Sequence, residues 1–103
     1  MNQTERITLM ESYLDEAGIT LKAYSASLKA YLEIQPKLRE LAGYYAGDDW
    51  RKDFEDNESG RLPADLKRGV LSEDAVYNLL SENTEIQAET LEMIAEIFRE
   101  GRF

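Results

Sequence analysis

The sequence predicts an all-α protein folded as one helical domain over residues 1–103. A long heptad-patterned N-terminal helix, about residues 4–46 and kinked near Pro36, is expected to be packed by several shorter C-terminal helices. Three observations carry this expectation: an apolar repeat that never slips, helix-start and helix-stop residues spaced behind it, and no period-two alternation of the kind a strand needs.

In the repeat, Ile7, Met10, Leu14, Ala17, Leu21, Tyr24, Leu28, Tyr31, Gln35, Leu38, Ala42 and Tyr45 alternate steps of three and four residues. Eleven of these twelve positions are apolar or aromatic, so one helix stripe forms the seam of a coiled-coil-like helix. The register passes through Gly18 and Pro36 unchanged. A turn at either residue would have no reason to preserve it, so a single helix spans both. At about 1.5 Å per residue such a helix is roughly 64 Å long, more than a compact domain of this size measures across. Part of it is therefore expected to lack cover from its own chain.

Behind it, Gly47 closes the first helix, and Asp48 and Asp49 suit the start of a short one that carries Trp50 and Phe54 and ends before Ser59-Gly60. Pro63 then opens a turn from Ala64 to Arg68, stopped by Gly69. Ser72, followed by Glu73 and Asp74, reads as the N-cap of a helix with Ala75, Val76, Leu79 and Leu80 on one face. Thr84 with Gln87 has the spacing of a capping box that restarts the helix through Arg99, and Gly101 stops it.

Composition excludes more than the motifs add. With 103 residues, 43% of them hydrophobic and 32% charged, the chain should fold around one modest core. It has no cysteine and no histidine. Disulfides, thiolate chemistry and the usual neutral-pH base and zinc ligand are thereby excluded, so neither an enzyme nor a cofactor is expected. Residues 1–8 are polar and no apolar run approaches the roughly 20 residues needed to cross a bilayer, so a bacterial cytoplasmic address is expected. The net charge of −9 is unevenly spread: −4 over residues 48–58 and −6 over residues 72–103, against +2 over residues 61–71. Such a surface repels phosphates and anionic lipid, so direct nucleic-acid and membrane binding are not expected.

The run Leu62-Pro63-Ala64-Asp65-Leu66-Lys67-Arg68-Gly69-Val70-Leu71-Ser72-Glu73-Asp74-Ala75-Val76-Tyr77-Asn78-Leu79-Leu80 resembles the signature of a family of small acidic bacterial proteins described only as a domain of unknown function. Gln35-Pro36-Lys37-Leu38, Tyr44-Tyr45 and the acidic Trp50 segment are similar to the same family, so the likeness covers nearly the whole chain. The resemblance brings no catalytic residue. It implies at most an accessory or protective role, since some relatives sit among genes for bacteriocin production and immunity.

Two candidate sites stand out. The first is a partner surface of Asp65, Lys67, Arg68, Ser72, Glu73, Asp74, Tyr77 and Asn78, where the one basic spot of an acidic half adjoins a cluster of polar groups, together with Tyr44 and Trp50 as aromatic anchors. The same residues also suit a purely structural role, with Lys67 or Arg68 paired to nearby carboxylates to fix an inter-helix angle. The second is an oligomer seam centred on Leu14, Leu21, Tyr24, Leu28 and Tyr31, with Gln35 helping to set register. Two other patterns have plain readings. Asp53, Glu55, Asn57 and Ser59 alternate like a calcium loop, but Glu58 and Ala64 occupy the positions where such a loop needs glycine and glutamate, so no metal is expected. Glu85, Glu89, Glu92, Glu96 and Glu100 stack on one face, which suits a solvated face opposite a core face of Ile86, Leu91, Ile94, Ile97 and Phe98.

These features predict a non-enzymatic helical interaction or accessory protein whose partner is another protein, a second copy included. The alternative is an acidic decoy or inhibitor of a basic partner such as a nuclease, toxin or DNA-binding protein. The two differ in salt response: decoy binding weakens steeply with salt, whereas apolar pairing holds.

Overall fold

The computed structural model describes residues 1–101 and is all-helical, with no strand among them. In chain order it comprises α1 (Gln3–Tyr45), α2 (Asp48–Glu58), a 3₁₀ turn (Gly69–Leu71) and α3 (Ala75–Glu100).

Helix α1 starts one residue earlier than the repeat implies because Asn2 caps it. The Asn2 side chain accepts the Glu5 N–H at 2.8 Å and donates to the Glu5 carboxylate at 2.7 Å, a reciprocal pair that satisfies an otherwise orphaned backbone donor. The helix then runs without interruption past Gly18 and Pro36, as the unbroken register requires. Pro36 lacks an N–H to return to the carbonyl one turn back. Beside it, the Gln35 amide is taken up inside the same helix, donating to the Tyr31 carbonyl at 3.1 Å.

The end of α1 is set by Gly47. A Cβ there would lie 3.2 Å from the Gly43 carbonyl oxygen, so a larger residue would press on the last turn of α1 as the chain turns into α2. Helix α2 ends in a Schellman motif, with Gly60 N–H to Asn57 O at 3.2 Å and Arg61 N–H to Asp56 O at 2.9 Å. Gly60 occupies the left-handed region at φ 71°, which the motif demands and glycine reaches without strain.

Beyond α2 the structure corrects two expectations. Gly69 does not stop a helical turn; it begins the 3₁₀ turn, after a β-turn closed by Leu66 N–H to Pro63 O at 3.2 Å. Nor does α3 restart at Thr84: one helix runs from Ala75 to Glu100. The Thr84 hydroxyl donates back to the Leu80 carbonyl at 3.2 Å, a mid-helix use of threonine that replaces the cap. Ser72 does help to start α3, its hydroxyl oxygen accepting the Ala75 N–H at 3.2 Å, while Asp74 stands at the N-cap position.

The described residues group into two compact units, residues 1–36 and the described residues from 37 onward. The first is α1 up to Pro36. In it, the seam residues Ile7, Met10, Leu14, Leu21, Tyr24 and Leu28 are all exposed. The second holds the last turns of α1 with α2, the 3₁₀ turn and α3. Its small core lies where the 3₁₀ turn meets α2 and α3, with Leu71 and Val76 the buried hydrophobic residues among those described. Ile86, Leu91, Ile94, Ile97 and Phe98, the core face expected of α3, are exposed, because among the described elements α3 packs on that turn alone. Beside Leu71 and Val76 stand three aromatic rings. Trp50 stacks on Phe54 at 5.1 Å between centroids, and Tyr45 meets Trp50 edge-on at the same distance.

Candidate functional site

The candidate partner surface lies in the second unit, and its residues separate by what their polar atoms do. Trp50 is committed to the fold. Its indole N–H donates to the Val70 carbonyl at 2.9 Å, tying α2 to the 3₁₀ turn while the ring stacks on Phe54. Tyr45 holds the start of α3 in the same way, its hydroxyl donating to the Glu73 carbonyl at 2.8 Å. Both bonds satisfy loop carbonyls that no helix or sheet provides for.

Arg68 is the second tie. Its guanidinium donates to the Asn57 side-chain oxygen at 2.8 Å, to the Leu66 carbonyl at 3.2 Å and to the Pro63 carbonyl. The carboxylate pairing expected for this residue is thus replaced by three neutral acceptors, because the 61–68 loop turns its own carbonyls inward and a planar fork can collect several at once. Lys67, its neighbour, is exposed and makes no ion pair among the described residues.

Asp65, Ser72, Glu73, Asp74, Tyr77 and Asn78 are exposed as well. The turn into α3 brings Ser72 to Asn78 together on one short arc. Tyr77 among them is 62% exposed.

The acidic run of α2 is engaged in structure over part of its length. Asp48 pairs with Arg51 at 2.8 Å, Asp56 meets Arg61 at 3.4 Å, and Asp53 accepts the Tyr44 hydroxyl at 2.6 Å. Tyr44, expected as an open aromatic anchor, is therefore half-buried and hydrogen-bonded. It borders an open groove lined also by Glu40, Gly43, Gly47, Asp48 and Asp49. Partial burial, then the bond to the Asp53 carboxylate, then the charges of Asp53 and Asp49 push the Tyr44 pKa up from 10.0 to about 12.

The fold therefore favours the protonated phenol. Its contribution to stability is fully present below pH 10 and is lost as pH rises through about 12. The tyrosine signal that Tyr44→Phe removes from an alkaline absorbance titration is expected near pH 12. Asp53→Asn should bring it down toward 10, since the charge and the charged acceptor go together. A Tyr44 transition that Asp53→Asn leaves in place would contradict the assigned bond.

The seam residues belong to the first unit. Leu14 and Leu21 are each 67% exposed, Tyr24 50% and Leu28 42%, while Tyr31 is half-buried. Tyr13 and Ile34 broaden the row on one flank and Leu32 on the other, all three exposed; Ile19 lies on the opposite face. Sequence reasoning took Tyr45 as one more seam residue, placed Phe54 on the helix of Trp50 without assigning the stack, read Asn57 only within the calcium-like alternation, and passed over Val70. The signal for the stack is the Trp50-Phe54 pair at i, i+4 in α2, which puts two rings on one helix face.

Among the described residues no helix is long and apolar enough to cross a membrane. These features define a small all-α protein with an exposed heptad row and a tied aromatic corner. The chain belongs to the family described as a domain of unknown function (DUF4298), which matches it over residues 7–93 and so takes in both the row and the corner. Neither a curated protein nor a solved structure matches it.

Proposed function

We propose that the protein is a non-catalytic helical interaction protein that assembles through the seam of α1 with a second copy of itself. The observation behind this reading is the exposure of the row: Ile7, Met10, Leu14, Leu21, Tyr24 and Leu28 are each 42% to 67% exposed at strict heptad spacing. A single helix has no core of its own and is marginal in water, so a row of this kind gains its stability by being covered. At on the order of 100 Å² of apolar surface apiece, these six residues and their flanks offer about 600 Å² per copy, or about 1,200 Å² for a pair, the lower bound of stable protein interfaces. The absence of histidine and cysteine supports a role without catalysis.

Self-assembly links folding to concentration. The helix signal followed by circular dichroism should melt at a temperature that rises with protein concentration, by mass action. A melting temperature independent of concentration would argue against self-pairing. The acidic-decoy reading rests on the exposure of Glu85, Glu89, Glu92, Glu96 and Glu100 along α3. It would suit the accessory or protective role that the family resemblance implies, and it requires a basic partner whose binding is abolished by salt.

A further inference from the structure

We infer that the α1 seams of two copies pair antiparallel, with the dyad midway between Ala17 and Leu21. This rests on the self-assembly proposed above and adds the orientation. It follows from two properties of residues 3–35, one of shape and one of charge.

The shape concerns which side chains share a layer. In an antiparallel pair of heptad helices each a position packs against a d position of the partner. Centred midway between Ala17 and Leu21, this places Ala17 against the partner's Leu21, Leu14 against the partner's Tyr24, and Met10 against the partner's Leu28. The smallest seam residue then meets a leucine, and every layer combines two unlike side chains of complementary bulk. A parallel pair stacks each residue on its own copy. Ala17 on Ala17 leaves a void in the middle of the seam, and Tyr24 on Tyr24 overfills the second layer along. Gly18 fits the same centre. Beyond its chain neighbours and the local helix backbone, no atom lies within 4 Å of the position its Cβ would take, so intramolecular crowding does not require a glycine there, although glycine is a poor helix former. Beside the dyad it lets the two backbones approach.

The charge is bipolar. Residues 3–16 carry Glu5, Glu11, Asp15 and Glu16 against Arg6, a net of −3, whereas residues 22–35, which they face in this register, carry Lys22 and Lys29 against Glu33, a net of +1. Antiparallel pairing lays the acidic stretch of each helix beside the basic stretch of the other and sets the helix dipoles head to tail. Parallel pairing sets like against like twice over. It gains one opposite-charge contact, Arg6 with the partner's Glu11, a surface pair of the kind that contributes little.

The absence of native cysteine makes the orientation directly readable by cross-linking. Two single variants, Leu14→Cys and Tyr24→Cys, are oxidised separately and as a mixture, and the products are weighed under non-reducing conditions. The pair Met10→Cys and Leu28→Cys repeats the test nearer the ends of the seam, where one cysteine disturbs the pairing least. Antiparallel pairing gives a disulfide-linked dimer in each mixture and little from either variant alone. A linked dimer from single variants alone would establish parallel pairing and overturn this orientation while leaving self-assembly intact. A dimeric mass with no cross-link in any mixture would overturn the register. A monomeric mass for the unsubstituted chain would overturn the self-assembly itself.

Discussion

Leu21→Glu is expected to convert the paired protein to monomer. Leu21 sits at the middle of the seam and is 67% exposed in the single chain, so the substitution removes one leucine from the interface per copy and puts a carboxylate in its place. Losing the apolar contact and desolvating an unpartnered charge together cost roughly 3 kcal/mol or more per copy. With two copies affected, the dissociation constant should rise on the order of ten-thousandfold. Sedimentation equilibrium checks this against Ile19→Glu, which adds the same charge on the opposite face of the same helix and should leave the mass of the assembly unchanged. Equal behaviour of the two variants would mean that the row is not the interface.

The second large effect belongs to the other unit. Trp50→Ala removes the ring that stacks on Phe54 and meets Tyr45, and it orphans the Val70 carbonyl that its N–H satisfies. The ring is half-buried, so the loss falls near the lower end of the range for core aromatics, about 3 kcal/mol. Small domains are stable by only a few kcal/mol, and here Leu71 and Val76 are the buried hydrophobic residues among those described. Residues 37–103 should therefore lose cooperative unfolding in a urea titration followed by circular dichroism. Trp50→Phe keeps a ring and loses the N–H, at a cost of about 1 kcal/mol. If the alanine variant unfolds with the midpoint of the native chain, the aromatic corner is not what holds this unit together.

How far the sequence disclosed these features depends on the kind of signal each left. Helix α1 was legible because a heptad register is additive: eleven consecutive steps of three and four outweigh one glycine and one proline, and both bounds fell within a residue of the observed ones. Helix α2 was legible because Gly47 and Ser59-Gly60 are local punctuation, and local punctuation is what one sequence displays best. Thr84 misled because threonine has two helical uses. It can cap a new helix or donate to the carbonyl one turn back, and with neither glycine nor proline just before it, nothing broke the helix that was already running. The roles of Trp50 and Arg68 were not legible, since each depends on carbonyls brought near by the loop from residue 61 to residue 71. Backbone acceptors carry no residue-type signature, and loop conformation decides which of them need a donor. Exposure of the seam was anticipated from length alone, because a helix of about 43 residues exceeds what so short a remainder can cover.

The resulting division is physical. Residues 37–103 carry an aromatic corner with its hydrogen bonds satisfied internally, and residues 1–36 carry a helix whose apolar row is exposed. The most direct test is the mass of the intact protein in solution, measured by light scattering after size exclusion at low and at high salt. Twice the 11.8 kDa chain mass, held or strengthened as salt rises, is the result that apolar self-pairing requires. A mass of one chain at every concentration and salt would contradict it.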